Sequence, residues 1–308
     1  MYAVSCFANP PYQWQPVMLP DPDWPNWEDP DEPLGSKDKE WVVGPEEPDG
    51  RNKWLFKYAR LDSGEYWAEC VVHALACLIG APTACVQPAS KGGRDGILSR
   101  SMLHDGERLT HGSELLTLVF NGRYDPHRGD NNPDYTVANV QRSLHGVEPP
   151  NRSLPGFTAF DTWTDYLVLD AWVSGTDRHH DNWAVAIDHA GHRRLAESFD
   201  HGSALGFSLS EGAVCDLSGS GSVRSWVERG RTHFAGNPSM VDAALQALNL
   251  ASNGVKDYWL SRLGDVRFDD VTATISGLPE STMSDQRRSV VLDILTNNQE
   301  RILNDRSG

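Results

Sequence analysis

The sequence lacks the long apolar runs and the basic start that mark membrane and secreted proteins. No run approaches the roughly 18 consecutive apolar residues of a membrane helix. The longest candidate, Val71 to Leu78, is short and contains His73. Residues 1–20 contain no lysine or arginine, so they do not resemble the start of a secretory signal. We therefore expect a cytoplasmic protein without a membrane partner.

Cysteine is also scarce. The chain has five cysteines, an odd number, and none of them forms a CxxC pair. This count argues against a disulfide framework or a zinc knuckle, and it agrees with a cytoplasmic location. Cys70 and Cys77 lie seven residues apart, so we expect them to share a buried helix face as small apolar side chains.

Basic residues are outnumbered, with 27 lysines and arginines against 43 acidic residues and a net charge of −16. A protein that binds the phosphate backbone of nucleic acids needs a basic face, so direct nucleic-acid binding is not expected. More than half of the net charge lies in residues 21–49, which contain eleven acids and two lysines. The remainder of the chain is only mildly acidic.

Length and composition divide the 308 residues into about two structural units and an arm. Residues 1–33 are rich in Pro, Trp and Asp, and proline at this density prevents a regular helix or a central strand. This segment is either an extended arm with its tryptophans docked on the main body or a floppy acidic tail. Residues 34–103 predict a small sheet-rich lobe, and residues 104–308 predict a larger, mostly helical lobe. The expected class is α+β.

Hydrophobic periodicity places the elements within these lobes. Strands are predicted at residues 39–43, 53–59, 84–89 and 95–103. A long helix is predicted between Ser63, which can cap it, and Gly80, which can end it. Further helices are predicted at residues 157–173, 208–216, 222–233, 238–251, 254–263 and 284–303.

The densest polar cluster lies in residues 169–207. An apolar helix ends at Gly175, and Asp177 and Asn182 follow it; Asp200 comes after two short strands. These three side chains should therefore meet at one end of a β-hairpin. Two carboxylates and a carboxamide are hard oxygen ligands of the kind that Mg²⁺ prefers.

The spacing of these residues repeats the logic of protein kinases. There, a loop Asp precedes an Asn by five residues, and a later Asp-x-Gly aspartate holds metal. Ordinary turns are an alternative, because Asp and Asn commonly form them. A zinc site is disfavoured because His179 and His180 are adjacent, so they point apart, and the chain has no helical H-x3-H pair. His180-Asp181 also matches the His-Asp pair of metal-dependent phosphohydrolases, but the sequence lacks the further helical His and Asp ligands that this fold requires.

At this point the sequence resembles a known family. GTDRHHDN, residues 175–182, is similar to the catalytic loop of HipA-like serine/threonine kinases, whose motif runs Asp, any residue, His, two more residues, Asn. The resemblance includes ESFDHGSALGF, residues 197–207, and spans roughly residues 33–207. It implies a two-lobed, protein-kinase-like fold, which those kinases share with the phosphatidylinositol 3/4-kinase-like group.

The resemblance implies a role for each motif residue. Asp177 would be the catalytic base or the carboxylate that orients the substrate. Asn182 and Asp200 would hold Mg²⁺, and His179 would brace the loop through a hydrogen bond. Lys57, near the end of a predicted strand, would be the point charge for the α- and β-phosphates of ATP.

The remaining predicted site residues lie upstream. Glu65 is the residue that the resemblance aligns as the ion-pair partner of Lys57, and Glu69, one helical turn on, is its competitor. In LGSKDK, residues 34–39, Gly35 would allow a phosphate loop to approach ATP closely. The other residues assigned to nucleotide binding are Ser36, which resembles a self-phosphorylated serine of some family members, Lys37, Lys39, and the adenine connector Leu98, Ser99, Arg100 and Ser101.

The lead functional hypothesis is an ATP- and Mg²⁺-dependent kinase that phosphorylates Ser or Thr hydroxyls of a protein. The resemblance also implies a bacterial toxin-type role with an antitoxin or inhibitor partner. A small-molecule or lipid-headgroup kinase is an alternative, although a net charge of −16 disfavours work on an anionic membrane surface. A catalytically silent nucleotide-binding module is the alternative from another class. The acidic arm could also fold into the cleft as a regulatory segment.

Overall fold

The computed structural model describes most of the chain as two packed parts, one built on a sheet and the other mainly helical. The described residues are 14–19, 24–27, 39–44, 49–60, 63–128, 132–151 and 153–304. The mixed α+β class predicted from the sequence is confirmed. Among these residues, no helix is long and apolar enough to cross a membrane.

The first part is a six-stranded sheet. Its strands are β1 (Val17–Leu19), β2 (Asn26–Trp27), β3 (Lys39–Val43), β4 (Lys53–Tyr58), β5 (Val86–Lys91) and β6 (Arg94–Arg100). Their order across the sheet is β1-β5-β6-β4-β3-β2. Only the β1–β5 pair is parallel. Strand β4, which carries Lys57, therefore lies inside the sheet, between β6 and β3.

The two faces of β4 have different surroundings because successive side chains of a strand point to opposite faces. Trp54 and Phe56 are fully buried and pack with Leu98 in a cluster on the outer face. Leu55 and Lys57 therefore point to the inner face, toward the helical part. The alternation of polar and apolar residues in KWLFKY aims the lysine at the cleft.

Helix α1 (Glu65–Ile79) follows β4 and connects it to β5. Eleven of its fifteen residues are buried, so it lies between the sheet and the helical part. It ends at Gly80, whose φ of 82° is in the left-handed region that glycine adopts without strain. The predicted helix is confirmed, with its stop signal.

The second part combines helices with a small sheet. Strands β7 (Arg108–His111), β8 (Ala184–Ile187) and β9 (Arg193–Leu195) form a three-stranded antiparallel sheet in that order. The helices are α2 (Gly112–Val119), α3 (Val137–Ser143), α4 (Ala159–Val173), α5 (Glu211–Ser220), α6 (Val223–Val227), α7 (Met240–Leu250), α8 (Val255–Gly264), α9 (Phe268–Ser276) and α10 (Asp285–Asn304), with a 3-10 turn at Pro126–Arg128.

All six helices predicted for this part are present, but one is much shorter than predicted. The predicted helix 222–233 ends at Val227, because the chain then closes a loop through a bridge between Arg231 and Ser239. Helices α2, α3 and α9 were missed. Each has fewer than ten residues, so its apolar stripe is too short to give a clear period.

Helix α4 is the centre of the helical part, because all fifteen of its residues are buried. Thr158 and Asp161 form a reciprocal capping box at its start. Ser174, with a φ of 54°, ends the helix in a left-handed conformation. The chain therefore leaves a buried helix directly into residues 175–182, the segment similar to the catalytic loop of the family, which we call the catalytic loop for that reason.

The arm is docked where the structure describes it. Strands β1 and β2 occupy the two edges of the large sheet, where strand proline is tolerated. Trp24 packs edge to face on Trp54, with ring centroids 5.4 Å apart. Trp14 donates a hydrogen bond of 2.8 Å to the carbonyl oxygen of Thr274 in α9. The docked alternative is confirmed for these residues: Trp24 packs on the outer face of the sheet, Trp14 packs against α9, and neither tryptophan lines the cleft between the two parts.

The cysteines depart from the expectation drawn from their number. Cys85 is disulfide-bonded, whereas Cys70, Cys77 and Cys215 are free thiols. Cys70 is buried, and burial raises the pKa of its thiol well above the ordinary value. Cys77, seven residues on, is exposed, so the predicted shared buried face is wrong.

Candidate active site

A large cavity separates the sheet from the helical part. Its volume is about 1380 Å³, which exceeds the roughly 300–1,000 Å³ of a typical ligand site. Its walls include side chains from β4, from the first turns of α1 and from residues 200–211. Those used below are Lys57, Glu65, Glu69, Asp177 and Asp200.

Lys57 connects the two walls of this cavity. Its Nζ lies 3.1 Å from Oε1 of Glu69 in α1 and 3.2 Å from Oδ1 of Asp200. Burial lowers the pKa of the lysine, but the two carboxylates outweigh burial and hold that pKa above its ordinary value. The ammonium group is therefore charged at neutral pH and faces the cavity from inside the sheet.

The partner of Lys57 is Glu69, so the preference for Glu65 was wrong. The Glu69 side chain is only 6% exposed and lies against the sheet. Glu65 begins the helix at the rim of the cavity, and its Oε1 accepts from the largely exposed guanidinium of Arg60 at 3.2 Å. One helical turn separates the two glutamates, and it carries Glu65 out of reach of Lys57.

Asp200 adopts a backbone conformation that is uncommon for a residue with a side chain. Its φ is 59°, in the left-handed region that Asp tolerates better than most residues. Gly202 follows two residues later, and a Cβ there would lie within 3.2–3.4 Å of Glu65 atoms. The Asp-x-Gly pattern thus permits the sharp turn and the close approach of α1.

The catalytic loop is closed by its own hydrogen bonds. Nδ2 of Asn182 donates to the carbonyl oxygen of Asp177 at 2.7 Å, which explains the five-residue spacing. Nδ1 of His179 accepts from the backbone N–H of Asp181 at 3.1 Å, so His179 braces the loop as predicted. These bonds fix the amide of Asn182 beside Asp177.

A buried arginine holds this loop to the helix before it. Arg178 donates to both carboxylate oxygens of Asp170 in α4 at 2.7 and 2.8 Å. It also donates to the carbonyl oxygen of Asn182 at 2.6 Å and to Oγ of Ser198 at 2.9 Å. Sequence reasoning missed this contact, although an arginine between two motif residues and an aspartate in an apolar helix were signals for it.

Asp177 faces the cavity and is held by a histidine that the motif does not contain. Its Oδ1 lies 3.3 Å from Nε2 of His233, in the loop between α6 and α7. Burial raises the pKa of Asp177, but the hydrogen bond from His233 and the charges of His233 and His179 outweigh it, so the pKa lies below its ordinary value. No spacing rule connects residues 56 positions apart, so the sequence contained no signal for this contact.

The site offers oxygen atoms that could hold a divalent cation. Asp177, Asn182 and Asp200 line one small pocket beside the large cavity, so the predicted convergence occurs. Because Nδ2 of Asn182 is engaged in the loop, its Oδ1 is the atom that could ligate a cation. No group of three His, Cys, Asp or Glu residues that could hold a metal occurs in the described part of the chain. Mg²⁺ keeps waters and phosphate oxygens as ligands, so two protein oxygens fit it.

The upstream residues are only partly described. Gly35, Ser36 and Lys37 lie outside the residues that the structure describes. Lys39 begins β3 and pairs in register with Lys57 on β4, so its backbone lies beside the lysine strand.

The prediction that adenine binds the backbone groups of the connector Leu98–Ser101 was wrong. Leu98 and Ser99 lie in β6 and pair with strands on both sides, so their backbone groups are taken by the sheet. The N–H of Ser101 donates to Lys53 at 2.9 Å. Even the carbonyl of Met102, just beyond, accepts from Arg194 at 3.2 Å. The Ser99 side chain is on the inner face of the sheet, in register with Leu55.

Comparison with known proteins agrees with this geometry at the level of the fold. The structure is similar to a Helicobacter pylori proinflammatory kinase, CtkA, with a TM-score of 0.69, 13% sequence identity, and coverage of 90% of this chain and 93% of that chain. It is also similar to HipA in the Shewanella oneidensis HipA–HipB–operator DNA complex. That match has a TM-score of 0.56, 10% identity, and coverage of 94% of this chain and 74% of that chain. No protein-family model and no curated protein matches the sequence.

These likenesses confirm the predicted two-lobed, kinase-like fold. They extend over nearly the whole chain, so the sheet, the cleft and the helical part all belong to one architecture. At 10–13% identity these similarities show the fold alone, so the chemistry must be argued from the residues in the cleft.

Proposed function

We propose that this protein is an ATP- and Mg²⁺-dependent kinase that transfers the γ-phosphoryl group to a Ser or Thr hydroxyl of a protein. One observation carries the proposal: Lys57, Asp177, Asn182 and Asp200 converge on one cleft from separate elements of both parts. Ordinary turns would not bring a charged strand lysine against the aspartate of a distant loop. The four groups are the set that phosphoryl transfer requires.

The phosphate end of the nucleotide has defined partners in this proposal. Asn182 and Asp200 would hold Mg²⁺, which neutralises charge on the phosphates when it is bound. Lys57 would donate to phosphate oxygens as a compact positive charge. Glu69 keeps the lysine aimed at the cleft, so it is preorganised before ATP arrives.

The base of the nucleotide would lie against the inner face of the sheet in this proposal. Trp41, Leu55 and Ser99 lie in one register row across β3, β4 and β6, two residues along from Lys57. Trp41 and Leu55 are partly buried, and the neighbouring Val42 and Trp54 point to the outer face. An aromatic ring, an aliphatic chain and a hydroxyl in one row offer stacking and a hydrogen bond to a purine.

Asp177 would accept the proton of the acceptor hydroxyl. The hydroxyl oxygen bonds to the γ-phosphorus, the bond from that phosphorus to the β,γ-bridging oxygen breaks, and ADP leaves. The hydroxyl proton passes to the Asp177 carboxylate, whose depressed pKa keeps it ionised beforehand. In such reactions catalysis is mostly positioning and charge stabilisation, which the closed loop of Asp177 supplies.

The protein acceptor and the antitoxin partner rest on the resemblance and on the structural neighbours. One neighbour is described as a kinase, and the other is a toxin in complex with its antitoxin and operator DNA. The cavity is large enough to admit a side chain together with a nucleotide. A protein hydroxyl is therefore the first acceptor to test.

The test is label transfer from γ-labelled ATP and Mg²⁺ to protein, by the wild type and by Asp177→Asn. General base catalysis is worth about 10²–10⁴-fold, so the variant should lose that much activity. Asp181→Asn removes a neighbouring, half-exposed carboxylate and should leave transfer unchanged. ATP binding without transfer by any form would favour the silent module instead. Tryptic mass spectrometry of the labelled wild type would show whether Ser36 receives phosphate.

A further inference from the structure

The loop between α6 and α7 is built to present one histidine to the catalytic loop. A bridge between Arg231 and Ser239 closes the loop, and the N–H of Thr232 donates to the carbonyl of Pro238 at 3.1 Å. Nδ2 of Asn237 donates to the carbonyl of Thr232 at 3.1 Å. The loop is therefore a small, internally bonded hairpin.

The neighbours of His233 anchor this hairpin in the core. Thr232 and Phe234 are 5% and 2% exposed. The Phe234 ring stacks on Tyr135 with centroids 4.6 Å apart, and the Tyr135 hydroxyl donates to the carbonyl of Arg178 at 2.9 Å. One residue between two buried ones points the other way, so His233 is directed at Asp177.

The contact itself engages one oxygen of the carboxylate. Nε2 of His233 lies 3.3 Å from Oδ1 of Asp177, and Nε2 of His179 lies 3.9 Å from the same oxygen. The two imidazole rings meet edge to face at 5.8 Å. Oδ1 of Asp177 therefore faces the two imidazole rings, which leaves Oδ2 of Asp177 for another partner in the cleft.

We propose that His233 is a positioning residue for phosphoryl transfer: its Nε2–H holds Oδ1 of Asp177 so that Oδ2 faces the acceptor hydroxyl. This inference rests on the proposed function. The charged and titratable groups that act on the pair include His179 and Asp200, which act on Asp177, and His180, which acts on His233. A protonated imidazole and a neutral one protonated at Nε2 can both donate this bond, so the positioning survives across neutral pH.

Two substitutions of His233 separate the hydrogen bond from the volume of the ring. His233→Phe keeps the ring and removes the donor, and His233→Gln places an amide N–H near the position of Nε2. A hydrogen bond to a charged group predicts a kcat about 10- to 100-fold lower for Phe, with Gln recovering most of the loss. KM for ATP should be unchanged, because His233 does not line the cavity in which Lys57 lies. The apparent pKa of the acidic limb of kcat should rise in the Phe variant, since Asp177 loses a stabilising donor.

A second measurement needs no activity. The imidazole of His233, followed by NMR, should titrate at higher pH in the wild type than in Asp177→Asn, because the anion stabilises the imidazolium. His192→Phe is the matched control, since it removes an exposed imidazole bonded to Asp188 at 2.9 Å, away from the cavity. It should leave kcat and the pH profile unchanged.

Each outcome decides a separate claim. Wild-type kcat and pH profile in His233→Phe, or a Gln variant as impaired as Phe, would overturn the positioning role. Equal titration of His233 with and without the Asp177 charge would overturn the contact itself, even if the Phe variant failed to fold. If the wild type transfers no label while the titration shift is present, the proposed function fails but the pair stands.

Discussion

The two walls of the cleft are held in place by different kinds of interaction. On the sheet side, Lys57 Nζ donates to Oε1 and Oε2 of Glu69 at 3.1 and 3.5 Å and to Oδ1 of Asp200 at 3.2 Å, and the lysine side chain remains 21% exposed. On the helical side, Arg178 is 4% exposed and grips both oxygens of Asp170. The sheet wall therefore depends on charge at a solvent-accessible site, and the helical wall depends on buried, directional bonds.

The helical wall therefore contributes mainly to the stability of the fold, whereas the contacts of the sheet wall can rearrange when a ligand binds. A buried charge that loses its partner is costly, so Arg178 and Asp170 tie the catalytic loop firmly to α4. The Lys57 contacts are partly solvated and shared between two carboxylates, so the ammonium can exchange a carboxylate for phosphate at low cost. Breaking the helical wall should therefore unfold the protein, whereas breaking the sheet wall should impair activity.

The largest expected effect is on the helical wall. Arg178→Met leaves Asp170 buried without its partner and should lower the free energy of unfolding by about 3–5 kcal/mol, measured by urea denaturation. Arg224→Met, which breaks an exposed pair with Glu228, is the control and should cost at most about 1 kcal/mol. Equal losses in the two variants would contradict the distinction between the walls.

An intermediate effect is expected on the sheet wall. Glu69→Gln should lower phosphoryl transfer about 10- to 100-fold, because Lys57 loses a charged hydrogen-bond partner, while the unfolding midpoint changes little. Glu65→Gln is its control on the same helix and should change the rate less than about fivefold, since Glu65 pairs with the exposed Arg60 rather than with Lys57. A greater loss of phosphoryl transfer in Glu65→Gln than in Glu69→Gln would show that Glu65 is the functional partner of Lys57, as the family resemblance implies.

The smallest effect concerns a second buried aspartate on α4. Asp165 is fully buried, and neither carboxylate oxygen has a hydrogen-bond partner among the described residues. Burial raises its pKa well above the ordinary value. Its contribution to stability is therefore present below about pH 3.9 and is lost as the pH rises toward the folded pKa.

Asp165→Asn removes this titration. At pH 7 it should raise the free energy of unfolding, and it should flatten the pH dependence of stability above pH 4. Urea denaturation at pH 4.5 and 7 would measure both effects. A variant that is less stable at pH 7 would show instead that the Asp165 carboxylate has a stabilising role.

Several site residues could be predicted from the sequence because local chemistry identifies them. Asn182 lies five residues after Asp177 since its side chain closes the loop on that residue's carbonyl. Gly202 follows Asp200 because the turn passes close to α1. The alternation of polar and apolar residues in β4 places Lys57 on the inner face of the sheet. Each of these constraints acts within a few residues of the chain.

Other parts of the site could not be predicted because they depend on distant segments. Glu65 and Glu69 are equally placed in the helical pattern, and only the packing of α1 under the sheet selects Glu69. The connector at Leu98 was expected to be free, but strands on both sides occupy its backbone. His233 reaches Asp177 through a loop that the helical pattern of residues 222–233 concealed.

The sequence by itself determined the class of the fold, the inward lysine and the three polar residues that meet beside the hairpin. It also predicted that residues 1–33 would form no regular helix, because proline excludes it, and the described residues 14–19 and 24–27 contain none. Only the tertiary structure decided which glutamate pairs with Lys57, which buried pair anchors the catalytic loop, and which histidine holds Asp177. Local patterns are set by backbone and side-chain preferences over a few residues, whereas those contacts depend on how whole elements pack.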